Sequence, residues 1–310
     1  MVRASTPLLS LCAAWLGSAA AWVGCDCAGA GAPSDAIDCS DALALSEPRT
    51  IGRVSFRPEG RAIVVEGIPA VSRWAVGRGP ALATEPFAPA LDAIEALEPD
   101  AVLVLGDFGA GPRLEEFVAS LADLSVPVLL VPGPRDRLED LRAALARHEA
   151  SNVLSLAGTH VVRLGALELV IASGSVDSRY VLEGGCRLED LEGLLDEGSQ
   201  ARLRVLVGFD APAGTALTAG LDGGEAGSAR VRAAMDEAGV AAGIFAGPET
   251  RVGVWMSAAS VQASAPAPDL RVIVAPLVGP ALETADGTRA PTGPLLVVFG
   301  PSGVGPASLP

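Results

Sequence analysis

The sequence contains no lysine, so its 22 Lys and Arg residues are all arginines. A phosphate-binding P-loop needs a lysine after its glycines, so the Gly-rich stretches "GDFGAG" and "GPSGVG" are interpreted as turns. Positive charge is scarce overall, because the net charge is −15. An acidic surface repels nucleic acid and anionic lipid headgroups, which excludes nucleic acid as an expected partner.

Cysteine is scarce as well. The chain has 5 cysteines and no Cys-x-x-Cys, which argues against a zinc ribbon or a thioredoxin-type site. Cys12 lies in the N-terminal apolar run, which leaves Cys25, Cys27, Cys39 and Cys186. If Cys25 carries lipid, an oxidising compartment allows one disulfide among the other three and one leftover thiol. Cys27 and Cys39 are the nearest pair, and the pairing of Cys186 stays open.

The N-terminus has the anatomy of a secretory signal peptide. Arg3 precedes an apolar run from Leu8 to Val23, which is shorter than the roughly 20 residues that a membrane-spanning helix needs. Its end, Trp22-Val23-Gly24-Cys25, resembles the cleavage site of bacterial lipoproteins, with Trp22 in place of the usual Leu. We expect a lipoprotein of the cell envelope, attached to the membrane through Cys25. The alternative is a secreted or periplasmic protein without lipid.

Composition divides the chain along its length. Residues 1–24 are the predicted signal peptide, and residues 25–50 are small and polar without a sustained period, which is typical of a tether. Residues 51–300 hold the predicted folded domain. The Gly-, Pro- and Ser-rich residues 301–310 are predicted to form a flexible tail.

Apolar strand-like runs alternate with helical patterns throughout the domain. Apolar residues at i, i+3, i+4 spacing predict helices over 87–98, 113–124, 137–149, 187–197 and 228–239. The strand-like runs are 61–67, 100–107, 126–133, 159–164, 166–173, 202–210, 242–247, 271–276 and 294–300. This alternation predicts an α/β fold of parallel strands with crossover helices, and the consecutive strands in 159–173 add antiparallel members.

The loops that follow these strands carry a family pattern. In open α/β sheets such loops form the site. The stretches "PDAVLVLGDFGAGPRLEEFVASLADLSVPVLLVPGPRD" and "GSARVRAAMDEAGVAAGIFAG" resemble the calcineurin-like metallophosphoesterase family, and the resemblance covers roughly residues 60–300. It implies a four-layer α/β/β/α sandwich with mixed sheets. It also implies phosphoester hydrolysis by two metal ions, which imidazole and carboxylate ligands hold.

The positions that correspond to the family's ligands are mostly occupied by residues that cannot bind metal. The bridging Asp of the second motif is retained as Asp107, and the acidic residue of the third motif as Asp136. The family's remaining ligand and catalytic positions fall on Gly67 and Pro69, on Pro134 and Arg135, on Phe209, and on Pro248 and Thr250. The chain has only 2 histidines, and neither follows a site strand. The straightforward interpretation is a pseudoenzyme without a resident cofactor.

Two alternatives remain open for the retained acids. Asp107 could bind Mg²⁺, Mn²⁺ or Ca²⁺ as part of an all-oxygen set, with further oxygens from Asp136, Asp210, Glu66 and Glu249, and this would give an atypical active phosphoesterase. Otherwise Asp107 binds turn amides. Asp136 with Glu139 also matches a capping box for the next helix.

Two arginines stand at former histidine positions or beside them. Arg135 replaces the histidine of the third motif, and Arg251 directly follows the last motif. We hypothesise that a guanidinium pairs with Asp107, either closing the site or leaving it able to hold a phosphate or carboxylate. The alternative is two ordinary surface arginines. The expected function is therefore a non-catalytic adaptor or small-anion binder, with an active phosphoesterase and a purely structural protein as competitors.

Overall fold

Two mixed β-sheets pack face to face at the centre of the protein. The computed structural model describes residues 35–39, 42, 44–80, 85–148, 151–196, 201, 203–215, 217–218, 224–240, 242–247, 253–255, 271–274, 277, 293–301 and 303–307. The strands are β1 (Ile37–Asp38), β2 (Arg49–Ile51), β3 (Val54–Glu59), β4 (Ala62–Glu66), β5 (Ser72–Arg78), β6 (Ala101–Leu105), β7 (Val128–Val131), β8 (Val153–Ser155), β9 (Val161–Leu164), β10 (Leu167–Ala172), β11 (Cys186–Arg187), β12 (Leu203–Gly208), β13 (Ala242–Phe245), β14 (Gly253–Trp255), β15 (Arg271–Ile273), β16 (Leu295–Gly300) and β17 (Gly303–Pro306).

The first sheet has the order β17-β16-β5-β6-β7-β8, and β5 to β8 are parallel. The second has the order β14-β15-β13-β12-β10-β9-β4-β3-β2, with parallel pairing of β10, β12, β13 and β15. The central strands β6 and β7 are buried along their whole length, as expected of parallel strands that are covered on both faces. The predicted antiparallel pair over 159–173 is β9 with β10.

Five helices follow the predicted patterns: α1 (Ala88–Ala96), α2 (Gly111–Ala122), α3 (Leu138–Arg147), α4 (Leu191–Asp196) and α5 (Ala229–Glu237). In α2 the buried residues are Leu114, Phe117, Val118 and Leu121, which form one apolar stripe. None of the helices in the described part of the chain is long and apolar enough to cross a membrane.

Three apolar clusters define the layers. The largest lies between the sheets, where Leu103 and Leu129 of the first sheet meet Leu169 and Val207 of the second. A second cluster packs the outer face of the first sheet against α1, α2 and α3, and a third packs α4 and α5 on the outer face of the second sheet. The predicted α/β sandwich with mixed sheets is confirmed, and its layers run helix, sheet, sheet, helix.

The folded structure extends beyond the predicted domain limits. Within the predicted tether, β1 pairs in parallel with β11, and Cys39 forms a disulfide with Cys186 instead of the nearer Cys27. The cause is the register, because Ile37 lies opposite Cys186 and places Cys39 next to it. Within the predicted flexible tail, β17 forms an antiparallel hairpin with β16. The described residues of both segments therefore belong to the fold.

Candidate functional site

Three loops meet where the neighbouring parallel strands β5, β6 and β7 end. Each contains a glycine at the point of contact: Gly79, Gly106 and Gly133. A Cβ at Gly106 would lie 2.8 Å from the Cα of Gly133, and one at Gly79 would lie 2.4 Å from the carbonyl oxygen of Gly106. The amide of Gly79 also donates to that oxygen at 2.8 Å. Because only glycine allows this approach, the loops form one closely packed unit.

Asp107 stands at the centre of this unit. It is buried, and its backbone has a positive φ of 55°, a conformation that costs energy for a residue other than glycine. Its Oδ2 lies 3.9 Å from Nη1 of Arg135, while its Oδ1 accepts no hydrogen bond from any described residue. Burial raises the pKa of Asp107, and the positive charges of Arg135 and Arg78 oppose that rise. The predicted third-loop arginine therefore lies beside the retained acid.

Arg78 is the site residue that sequence reasoning missed. It ends β5, and its Nη1 donates to the carbonyl oxygen of Gly247 at 3.0 Å, so it bridges the first sheet to the loop after β13 of the second. Burial lowers the pKa of Arg78, whereas the charge of Asp107 raises it. The sequence offered only a weak signal, because the Gly-Pro pair at 79–80 recurs at 133–134 and 247–248 in other site loops but also at five further places in the chain.

The first-motif assignment to Gly67 and Pro69 is wrong. These residues follow β4, which belongs to the second sheet, and Gly67 packs against the backbone of Arg53 and Val54. Pro69 precedes β5, whose seven residues separate it from the site by about 20 Å. The strand that adjoins β6 is β5, so the loop at Arg78 occupies the place that the sequence pattern assigned to Gly67 and Pro69.

Asp136 holds the second and third loops together, and it does not cap α3. Its Oδ1 accepts from the amide of Phe108 at 2.7 Å, and its Oδ2 accepts from the amide of Gly133 at 2.8 Å. The residue before α3 is Arg137, which makes no side-chain cap, so the predicted capping box is absent. Burial and the nearby Asp107 raise the pKa of Asp136 to about 8.

Phe209 and Asp210 close the site from the second sheet. The Cδ2 of Phe209 would lie 3.2 Å from a Cβ at either Gly106 or Gly133, so the ring packs directly on the glycines of the first sheet's loops. Asp210 turns to the neighbouring loop, where it accepts from Ser175 Oγ at 2.8 Å and from the amide of Val176 at 2.7 Å. Burial raises the pKa of Asp210 to about 6.

The remaining predicted residues do not join this set within the described structure. Pro134 is buried, and its carbonyl oxygen accepts from the amide of Leu182 at 3.2 Å. Glu66 is exposed, at the end of β4, and lies 3.7 Å from Arg57. Pro248, Glu249, Thr250, Arg251 and Cys25 lie outside the described residues, so their predicted roles stay predictions.

The residues that the structure describes around Asp107 do not fit a centre of two metal ions. Among the described residues no three His, Cys, Asp or Glu side chains are grouped so that they could hold a metal ion. Asp136 accepts hydrogen bonds from the second and third loops, and Asp210 accepts them from the loop at Ser175 and Val176. The positive charges of Arg135 and Arg78 act on Asp107. This arrangement suits an internal ion pair in which the carboxylate already has its positive charges.

The disulfide lies directly behind the third loop. Cys186 Sγ is 3.6 Å from the carbonyl oxygen of Asp136, and both cysteines are fully buried beside Leu138 at the start of α3. The N-terminal segment is therefore covalently attached next to the site.

No protein-family model and no curated protein matches the sequence. Three solved structures are similar in backbone shape. Purple acid phosphatase PPD1 from yellow lupin seeds has a TM-score of 0.49 at 13% identity, over 77% of this chain and 52% of that one. GAP50, the anchor in the inner membrane complex of Plasmodium, has a TM-score of 0.47 at 13% identity, over 76% of this chain and 82% of that one. TT1561 of Thermus thermophilus has a TM-score of 0.44 at 14% identity, over 67% of this chain and 90% of that one.

Proposed function

We propose that this chain is a non-catalytic protein of the cell envelope with a calcineurin-like metallophosphoesterase fold, and that it acts as an adaptor. The observation that carries the proposal is the pair of arginines around Asp107. Arg135 lies 3.9 Å from this carboxylate, and the positive charge of Arg78, at the end of the neighbouring strand, lowers the pKa of Asp107 against the effect of burial. Arg135 stands where the family resemblance places the catalytic histidine of the third motif, and Arg78 ends the strand β5 that adjoins β6.

Electrostatics supports the absence of metal chemistry. A guanidinium group has no lone pair to offer a cation and keeps its proton at neutral pH. Two such groups compensate the charge of Asp107, and Asp136, whose pKa is raised to about 8, adds little negative charge at neutral pH, so the described site has no excess negative charge to attract a divalent ion. The charge that a metal would supply to Asp107 is supplied by the protein.

Packing supports a closed site over a small-anion site. The ring of Phe209 fills the space above Gly106 and Gly133, and the glycines themselves leave no gap between the loops. Arg78 uses one of its donors on Gly247, and Arg135 faces Asp107. In the closed form the guanidinium groups hold the loops together, and partners bind elsewhere on the surface.

The experiment compares metal content and turnover. The purified chain is analysed for bound divalent metals and assayed for hydrolysis of a generic aryl phosphodiester with Mn²⁺. We expect neither stoichiometric metal nor turnover above the rate with Mn²⁺ alone. Stoichiometric metal together with turnover would establish the competing function, an atypical phosphoesterase that uses Mg²⁺, Mn²⁺ or Ca²⁺. Titration with inorganic phosphate tests the small-anion function, and saturable binding that Arg135→Gln abolishes would establish it.

Attachment to the envelope is supported by the N-terminal sequence and by the disulfide, because disulfides persist in oxidising compartments. Fractionation of cells that express the chain tests this part of the proposal. We expect membrane association that Cys25→Ala abolishes, and a mature N-terminus at Cys25 with the added mass of lipid. Equal release of both forms from the membrane would instead establish secretion without a lipid anchor.

A further inference from the structure

A groove outside the Asp107 site lies beside β8 and α3. It has a volume of about 710 Å³ and runs between the free edges of the two sheets. One wall is the segment from Ala44 to Thr50, which leads into the edge strand β2. The other is β8, the edge strand of the first sheet, and α3 contributes Leu138 and Leu145. The volume is in the range of ligand-binding clefts.

The charge of the groove is opposite to that of the whole chain. Among the described residues its lining includes two arginines, Arg49 on the N-terminal wall and Arg142 on α3, and no carboxylate. These described residues therefore differ from the protein as a whole, which has 37 Asp and Glu residues and a net charge of −15. Both arginines are exposed, and neither forms an ion pair or hydrogen bond with any other residue that the structure describes. They are available to an acidic ligand.

The edge of β8 offers hydrogen-bonding groups along the same groove. The carbonyl of Asn152 and the amide of Leu156 bond to β7, at 2.9 and 2.8 Å. Because strand residues alternate in direction, the backbone groups of Val153 and Ser155 face away from β7. Val153 lies at the bottom of the groove with 2% exposure, whereas Ser155 is partly exposed. No described residue bonds to this outward face.

The chain itself shows how a segment continues this edge. Just beyond β8, in the turn at Gly158, the amide of that glycine donates to the carbonyl oxygen of Cys39 at 2.8 Å, so the N-terminal segment packs on this turn. It then diverges to form the opposite wall at Ala44 and Leu45. The groove lies between this segment and β8, and an added strand there would pair with the outward backbone groups of Val153 and Ser155.

We propose that this groove binds an extended acidic peptide segment of a partner protein. The peptide adds to the β8 edge at Ser155, places apolar side chains on Leu138 and Leu145, and pairs its carboxylates with Arg49 and Arg142 on the two walls. A compact ligand cannot use two charges on opposite walls as well as an extended chain can. The inference does not depend on whether the Asp107 site is catalytic.

The test uses the full chain and labelled peptides of alternating Glu and Val, alternating Lys and Val, and alternating Glu and Pro. Fluorescence anisotropy measures binding at two salt concentrations. We expect the Glu-Val peptide alone to bind, with weaker binding at high salt, because proline cannot donate to the sheet edge and lysine repels the arginines. Equal binding of the three peptides, or no binding of any, would overturn the proposal.

Variants locate the binding in the groove. Arg49→Glu and Arg142→Glu should each weaken Glu-Val binding about tenfold, as expected for loss of a charge-assisted contact, while Arg73→Glu, an exposed arginine outside the groove, leaves it unchanged. Ser155→Pro removes the outward amide and should weaken binding, whereas Ser155→Ala, which removes only the hydroxyl that accepts from the amide of Ala157, should not. Circular dichroism spectra and thermal midpoints show whether both variants keep the fold. Unchanged binding in the double charge reversal would contradict the proposal.

Two other occupants are outcomes of the same experiment. Analytical ultracentrifugation of the chain without peptide measures self-association, and a dimer that Arg142→Glu dissociates would replace the peptide with a second copy. Isothermal titration with succinate measures small-dianion binding. Succinate binding as tight as that of the Glu-Val peptide would replace it with a small ligand. Either result overturns the peptide proposal.

Discussion

Two regions of this protein carry arginines that are not simple surface charges, and the structure uses them in opposite ways. Arg78 and Arg135 surround the buried Asp107, and the ring of Phe209 packs against the same loops. Arg49 and Arg142 face an open groove of about 710 Å³, and none of the described residues that line it is a carboxylate. The same residue type stabilises the fold in the first region and remains available in the second. The first region contains a buried counter-charge, Asp107, whereas the described lining of the second contains none.

The disulfide connects the two regions, so its loss has the largest expected effect. Cys39 and Cys186 lie behind the Asp136 loop, and the segment after Cys39 forms a wall of the groove. Replacing both cysteines by serine should lower the free energy of unfolding by about 2–5 kcal/mol. Urea unfolding measures this, with the wild-type chain under reducing conditions as a control. Equal unfolding midpoints for the two proteins without reductant would refute the structural role.

Removal of the central charge tests the closed region. Asp107→Asn keeps a residue that tolerates positive φ but leaves Arg78 and Arg135 without their counter-charge. We expect a loss of about 1–3 kcal/mol, since the remaining charged groups are partly buried. A double-mutant cycle with Arg135→Gln should show coupling between the two positions. Additive effects would mean that the ion pair contributes nothing.

The pH dependence of stability tests the buried acids of the closed region, Asp107 and Asp136. Burial raises the pKa of Asp136 to about 8 and also raises the pKa of Asp107, so the folded state keeps protons that the unfolded state releases. Stability is therefore expected to fall as pH rises from about 4 to about 8. Urea midpoints at both ends of this window measure the slope. Asp136→Asn should flatten it, and the exposed Asp236→Asn should not.

The groove arginines should matter least for stability. Arg49→Ala and Arg142→Ala are each expected to change the free energy of unfolding by no more than about 0.5 kcal/mol, because neither side chain has a partner among the described residues. Thermal midpoints of the two variants and of Arg135→Ala give the comparison. If the groove variants lose as much stability as Arg135→Ala, the arginines of the two regions contribute equally to the free energy of unfolding, and the proposed difference between the regions is wrong.

Much of the fold follows from local sequence pattern. The fully apolar runs of β6 and β7 and the stripe of α2 were predictable, because a strand buried on both faces and a helix with one apolar side have distinct periods. The second- and third-loop residues Asp107 and Arg135 followed from those strands. The strand β5 was missed because its apolar core is only Trp74, Ala75 and Val76, between arginines at positions 73 and 78.

The sequence by itself determined the alternating α/β class, the shortage of metal-binding histidines, the acidic charge and the loops at Asp107 and Asp136. Only the tertiary structure decided that Arg78 belongs to the site, that Asp136 clamps two loops, that Cys39 pairs with Cys186, and that Arg49 and Arg142 share a groove. The physical reason is the distance along the chain between the residues that interact. Periodicity and charge are local properties, whereas strand order and register are fixed by contacts between residues far apart in the chain.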